Sequence, residues 1–123
     1  MNWKNILKKL TLDPMEMCCT NLVLGYYEIT NQFADHLEKN GFEGHANGVR
    51  QDTEQFMGLP PKLVCGAVKE VLENNVRAYQ TSSNRKTSFT DSYIKRAQEL
   101  LREYKECIQF GKTMRDKSMG ERR

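Results

Sequence analysis

No stretch of the 123-residue chain approaches the roughly 20 consecutive apolar residues that span a bilayer, and the N-terminal residues lack a cleavable signal pattern. Transmembrane and secreted readings are therefore disfavoured, and the chain is expected to be cytoplasmic. Large apolar residues are also scarce: Leu, Ile, Val and Phe together number 26, about 21% of the chain, just above the roughly 20% level associated with disorder. Charge of one sign is lacking too. The formal net charge is +3, too little self-repulsion to hold the aromatic, Met and Cys side chains apart in water. A single folded domain with a modest core is expected, since domains commonly run on the order of 100 to 150 residues.

Several chemical signatures are missing. Four cysteines are present, at 18, 19, 65 and 107, but none forms a C-x-x-C pair, so spacing gives no zinc site. No Glu is followed three residues later by His, which disfavours a di-metal carboxylate bundle. The segment Gly41–Gly48 lacks the Lys-Ser or Lys-Thr of a phosphate loop. No internal repeat is visible. Nothing brings a nucleophile, a base and an orienting group together recognisably, so the chain reads as a non-enzyme with no metal and no cofactor.

Helical periodicity is what the sequence does contain. Trp3, Ile6, Leu7 and Leu10 recur at helical spacing opposite Lys4, Lys8 and Lys9, predicting a short amphipathic helix. This helix reads as a cap on the bundle rather than as a membrane-surface element. Asp13-Pro14 then opens a second helix, with Asp13 as cap, Pro14 at the first helical position and Glu16 near the positive helix end. Its apolar arc holds Cys18, Ile29, Leu22, Met15, Phe33, Tyr26, Cys19 and Leu37, widened by Val23, Ala34 and Tyr27 to about half the circumference. Asn40-Gly41 ends it near Lys39.

Residues 40–61 carry four of the eight glycines and no sustained period. A short helix is expected near Val49–Met57, with Val49 and Phe56 inward and Gly58 closing it. Pro60-Pro61 opens a third long helix, whose Val64, Cys65, Val68, Val71, Leu72, Val76 and Tyr79 share a face with Ala67 and Ala78 at its edge. Gln80–Thr90, six of whose eleven residues are Ser or Thr, reads as a mobile polar connection. The last helix begins around Ser88–Asp91 and runs to about Asp116, with an inward arc of Phe89, Tyr93, Ala97, Leu100, Leu101, Tyr104, Cys107 and Ile108. Gly25 and Gly111 fall on apolar stripes, where a missing side chain permits close approach of a neighbour's backbone.

These elements predict an all-α protein: a small elongated bundle of three long helices plus one or two short ones, a single domain over 1–117 and a flexible basic tail over 118–123. The cysteines at 18, 65 and 107 are expected as reduced, small hydrophobes on apolar arcs, because thiols stay reduced in the cytoplasm. Glu70 and Glu73 read as a solvated face, and His36 and His45 sit in no ligand pattern. If a small-molecule site exists, it is expected in the Gly-rich segment around His45, Asn47, Arg50 and Asp52.

Wide apolar faces on a small bundle favour self-association or a protein partner, through Val23, Leu24, Tyr27, Leu63 and Phe110. The alternative is a nucleic-acid-binding accessory protein. Residues 1–62 carry a net −2 and residues 63–123 a net +5, with Arg85, Lys86, Lys95, Arg96, Lys112, Arg115 and Lys117 as the candidate phosphate contacts. Cations near a helix C-terminus also complement its dipole, so this signal is weak.

Overall fold

The computed structural model describes residues 14–81 and 88–121, the segment 113–121 as helical backbone only. The described residues form four helices and no strand: α1 (Pro14–Lys39), α2 (Glu43–Glu54), α3 (Pro61–Thr81) and α4 (Ser88–Glu121). Three are long and one is short, the all-α bundle the periodicity predicts. The expected helix over Trp3–Leu10 lies outside the described residues. So does the middle of the Ser/Thr-rich connection.

Proline and glycine set the boundaries. Pro14 and Pro61 occupy the first positions of α1 and α3, where the missing N–H costs no helical bond. α1 ends in a two-bond closure around Gly41 at φ +88°. Phe42 N–H donates to the Leu37 carbonyl at 2.8 Å and Gly41 N–H to that of Glu38 at 3.2 Å, the pattern that satisfies the last orphan carbonyls of a helix. Gly58, at φ +83°, reverses the chain between α2 and α3. α2 starts six residues earlier than the expected Val49, at Glu43. Its sequence is mostly polar, so periodicity alone carries little signal there. Phe56 is buried just beyond its end, as expected.

The helices run up, down, up, down. α1 pairs antiparallel with α4, because Pro14 lies against Gly111, Gly25 against Leu100, and Phe33 against Tyr93. It runs parallel to α3, with Phe33 against Tyr79, and antiparallel to α2, with Tyr26 against Phe56. α1 thus packs on all three other helices, and α3 also packs on α4. The core is the apolar arc of α1 (Cys19, Leu22, Val23, Tyr26, Ile29, Phe33, Ala34, Leu37) closed by Val64, Val68, Leu72 and Val76 of α3 and by Tyr93, Ile94, Ala97 and Leu100 of α4. Ala67 and Ala78, expected at the edge of the α3 face, are exposed. The close approaches at Gly25 and Gly111 are made by the side chains of Leu100 and Pro14 rather than by backbone.

Three expectations need correction. Val23, expected at an interface, is 2% exposed; α1 covers itself with three neighbours, so this part of its wide arc is spent inside the monomer. Cys18 and Cys107, expected as free thiols, form a disulfide with an S–S distance of 2.10 Å and Cα atoms 5.7 Å apart. The pairing depends on the register of α1 against α4, two helices whose bonded positions are 89 residues apart, and local spacing cannot show such a register. The α4 backbone also continues through Glu121, five residues beyond the expected end near Asp116.

A cross-link closing so long a loop stabilises mainly by restricting the unfolded chain, by about 2–4 kcal/mol in typical cases. Denaturant titrations with and without reductant are expected to differ by that amount, with a lower midpoint in the reduced protein. Equal midpoints would mean that the bond contributes nothing to stability.

Candidate functional site

α2 is an unusual covering helix. Its residues EGHANGVRQDTE bury only Ala46 and Thr53, with Val49 partly buried. Where a bundle helix ordinarily presents Leu or Ile inward, α2 packs through Ala46, Thr53 and part of Val49, and Gly48, Gln51 and Asp52 stand exposed at its edge. The unfilled volume is a cavity of about 340 Å³, lined by Tyr26, Thr30 and Phe33 of α1, His45, Gly48, Val49, Gln51 and Asp52 of α2, Asn75 and Tyr79 of α3, and Tyr93 of α4. It lies at the small end of the range for small-molecule sites, which are typically about 300–1,000 Å³. A side chain added at Gly48 would meet no atom within 4 Å.

Rings form much of the wall. Phe33 stacks on Tyr93 with centroids 4.6 Å apart and planes at 24°, and meets Tyr79 edge-on at 5.3 Å. His45 stacks on Tyr79 at 5.9 Å and 15°. Both geometries suit the ring quadrupole. Polar atoms fix these rings. His45 Nε2 and the Tyr79 hydroxyl share a 2.7 Å hydrogen bond whose direction follows the imidazole tautomer. Asn75 Nδ2 donates to the Tyr93 hydroxyl at 3.0 Å.

Two wall hydroxyls are different. Tyr26 is 0% exposed and Thr30 2%, yet neither the Tyr26 hydroxyl nor Thr30 Oγ1 has a hydrogen-bond partner of good geometry. Burying such a group unpaired costs on the order of 1–3 kcal/mol. Burial holds the Tyr26 phenol well above its ordinary pKa, and the Tyr93, Asp52 and Tyr27 charges push the same way. Tyr93 is raised chiefly by burial and also by Asp52, against the opposing hydrogen bond from Asn75 and the nearby Thr30 hydroxyl. Asp52 itself is exposed at the rim of the cavity.

The site takes in part of the Gly-rich segment that the sequence marked. His45 and Asp52 line it. Arg50 instead turns away, to Asp35 at 2.9 Å and Glu38 at 2.7 Å, and Asn47 is exposed. Of the wall residues on the long helices, Tyr26, Tyr79 and Tyr93 read as core and Thr30 and Asn75 carry no signal in the sequence, because an aromatic on an apolar arc looks the same whether it packs or lines a cavity.

The other candidate residues scatter. Leu24 is 58% exposed and Leu63 76%, Tyr27 packs partly buried against the core, and Phe110 is half-buried. Leu63 follows the α2–α3 turn, where Met57 and Leu59 are exposed as well. Lys95, Arg96 and Lys112 are exposed on α4. At about 100° per residue, Lys95 and Arg96 stand about 100° apart and Lys112 about 160° from Arg96, so these three make no single basic face. Arg96 lies 3.8 Å from Glu99. Arg85 and Lys86 lie outside the described residues, as do the side chains of Arg115 and Lys117. Glu70 and Glu73 are exposed, and the described residues include no group of three His, Cys, Asp or Glu able to hold a metal.

At the opposite end of the bundle the remaining thiols, Cys19 and Cys65, are free and buried. Cys65 Sγ donates to the Lys62 carbonyl at 3.8 Å and lies 3.8 Å from the Tyr104 hydroxyl. Burial, then the neighbouring Cys65, pushes the Cys19 thiol from 9.0 up to about 12. Cys65 is the small buried hydrophobe the sequence predicts, and Cys19, on the same apolar arc of α1 as Cys18, joins it.

No protein-family model, curated protein or solved structure matches the chain. The functional reading rests on the geometry.

Two outcomes test this geometry. Tyr26→Phe deletes a buried hydroxyl that nothing in the protein satisfies, so its unfolding free energy is expected to equal or exceed that of the parent, by up to about 1–3 kcal/mol. A clear loss of stability would mean that the hydroxyl is already well bonded. Alkylation at pH 8 is expected to leave Cys19 and Cys65 unmodified in the native protein and to label both after denaturation. Because folding raises the Cys19 pKa, its contribution to stability is complete below the unfolded value near 9 and declines as pH rises from there toward 12. Alkylation of native protein at the unfolded rate would overturn the burial of this pair.

Proposed function

We propose that the protein is a non-enzymatic binding protein that holds a small molecule in the cavity between α2 and the three long helices. One observation carries this reading: short polar α2 leaves a cleft of about 340 Å³ against the long helices, walled in part by the His45, Tyr79, Asn75 and Asp52 side chains. A concave site of this volume with a few convergent polar groups is suited to a small bound molecule. Gly48 and the polar content of α2 support the same reading, since both keep the volume open. The wall offers hydroxyls, an amide, an imidazole and one carboxylate, a set that binds and orients; it contains no nucleophile paired with a base.

A second reading, self-association or docking of a protein partner, is favoured by a different observation. Met57, Leu59 and Leu63 are all exposed around the α2–α3 turn, and clustered exposed apolar side chains mark contact surfaces. Light scattering on the chromatographed protein tests it, with a dimer that Leu63→Ser dissociates as the supporting result. Among the described residues no helix is long and apolar enough to cross a membrane. The cytoplasmic placement loses its thiol argument, because Cys18 and Cys107 are bonded and disulfides persist mainly in oxidising compartments.

The cavity reading is tested with 2-phenylethanol, a neutral probe with one ring and one hydroxyl. In ¹H–¹⁵N spectra of the full chain, millimolar probe is expected to shift resonances of Tyr26, Thr30, Asn75 and Gly48. Gly48→Leu, which puts a side chain at the cavity wall and raises helix propensity by nearly 1 kcal/mol, is expected to fold at least as well and to abolish those shifts. Absence of shifts in the parent, or equal shifts in Gly48→Leu, would sink the reading.

A further inference from the structure

α1 and α4 leave an open groove along their outer side. Met17, Leu24 and Glu28 climb α1 at steps of seven and four residues, about 180° around the helix from Tyr26 and Phe33 at 100° per residue. Cys107, Leu100 and Arg96 descend α4 at the same steps, and the groove between the two rows has a volume of about 480 Å³. Leu24 stands 58% exposed in it. None of these residues lines the cavity beneath α2. We infer that residues 1–13 of the same chain occupy this groove, folding back on α1 as the arm of a helical hairpin.

Tether length, register and charge select that occupant. Residues 1–13 join α1 at Pro14, which lies against Gly111, one turn from the Met17 end of the groove. Antiparallel helices are joined by loops of about two to five residues, and Thr11-Leu12-Asp13 supplies such a loop. Turning there sets Leu10 beside Met17, Ile6 beside Asn21 and Trp3 beside Leu24, so the apolar stripe of the arm falls on the groove. At 1.5 Å per residue the stripe from Trp3 to Leu10 spans about 11 Å, and the groove from Met17 to Glu28 about 16 Å. Residues 1–10 carry Lys4, Lys8 and Lys9 and no carboxylate. The groove carries Glu28 and Glu103 against one cation, Arg96, which lies 3.8 Å from Glu99. Such complementary charge at a rim selects the partner that docks. So short a tether also holds the stripe at millimolar effective concentration, which a second copy of the chain does not match.

Trp3 is the sole tryptophan of the chain, so its fluorescence reads the arm alone. The full chain is compared with Leu24→Lys in the groove, with Leu7→Lys on the arm, and with Leu63→Lys, a control at an exposed leucine outside the groove. Circular dichroism checks that each variant keeps its helicity. In the parent, Trp3 emission is expected to lie to the blue of that in denaturant and to be shielded from acrylamide at every protein concentration. Leu24→Lys and Leu7→Lys are each expected to weaken docking by roughly tenfold or more, the worth of burying one leucine. Both therefore move emission toward the denatured value and raise quenching, while Leu63→Lys changes neither. Native emission and quenching equal to those in denaturant would place Trp3 in solvent and overturn the inference. Shielding that neither Leu24→Lys nor Leu7→Lys reduces overturns it too, since Trp3 then rests elsewhere. Shielding that grows with protein concentration assigns the groove to a second copy and overturns the hairpin.

Discussion

α1 must be covered on half its circumference, and the rest of the structure follows from that demand. At 26 residues it is about 39 Å long at 1.5 Å per residue, and its inward arc runs the whole length, from Cys18 to Leu37. No single helix can cover so wide a face, because packing buries only a stripe of each partner. α4 covers one flank antiparallel and α3 covers the centre in parallel, both over most of that length. The remaining flank falls to α2, which at 12 residues covers only the Tyr26–Glu38 half. Both turns into and out of α2 need a residue with positive φ, and glycine supplies each, at 41 and 58.

This division gives the bundle two ends of different chemistry. Sulfur dominates one: the Cys18–Cys107 bond ties α1 to α4, and the Cys19 and Cys65 thiols fill the α1–α3 seam beside Tyr104. Those thiols act as apolar volume, since burial holds Cys19 in its neutral form. Rings dominate the other end, where Phe33 touches Tyr79, Tyr93, Phe89 and His45. Polar groups enter here, and with them a cost. A tyrosine hydroxyl buried without a partner opposes folding, and the covalent tie at the far end offsets losses of that order.

The fold was legible where periodicity is strong and the ends are punctuated. Pro14, Asn40-Gly41, Pro60-Pro61 and Ser88 mark helix boundaries that the structure keeps, and the arcs of α1, α3 and α4 are the faces that meet in the core. Three things escaped. The disulfide did, because it is a fact about inter-helix register and not about spacing along the chain. The extent of α2 did, because a helix that buries Ala46, Thr53 and part of Val49 has almost no apolar period to read. Val23 did in the opposite sense, since an arc as wide as that of α1 reads as surplus until the neighbouring helices are seen to cover it. His45 and Asp52 were legible as a place to look, from glycine and polar residues set in an otherwise apolar protein. Tyr26, Asn75, Tyr79 and Tyr93 were not, because only the fold shows them converging on a single volume.

The sequence of α2 is the part of the molecule that stability alone does not explain. Its position requires apolar cover, yet it places Gly48 and Asp52 at the cavity wall and His45 against Tyr79. Leu at the exposed glycine would meet no neighbouring atom at its Cβ and would add helix propensity. Such departures from local rules need a reason other than packing. Arg50 makes the same point from the outside. It ties the solvent edge of α2 to α1 through Asp35 and Glu38, exposed pairs that add little, while Ala46 and Thr53 pack beneath. A helix seated through so few inward side chains leaves a polar cleft beside the ring cluster, where a run of Leu or Ile would have closed it.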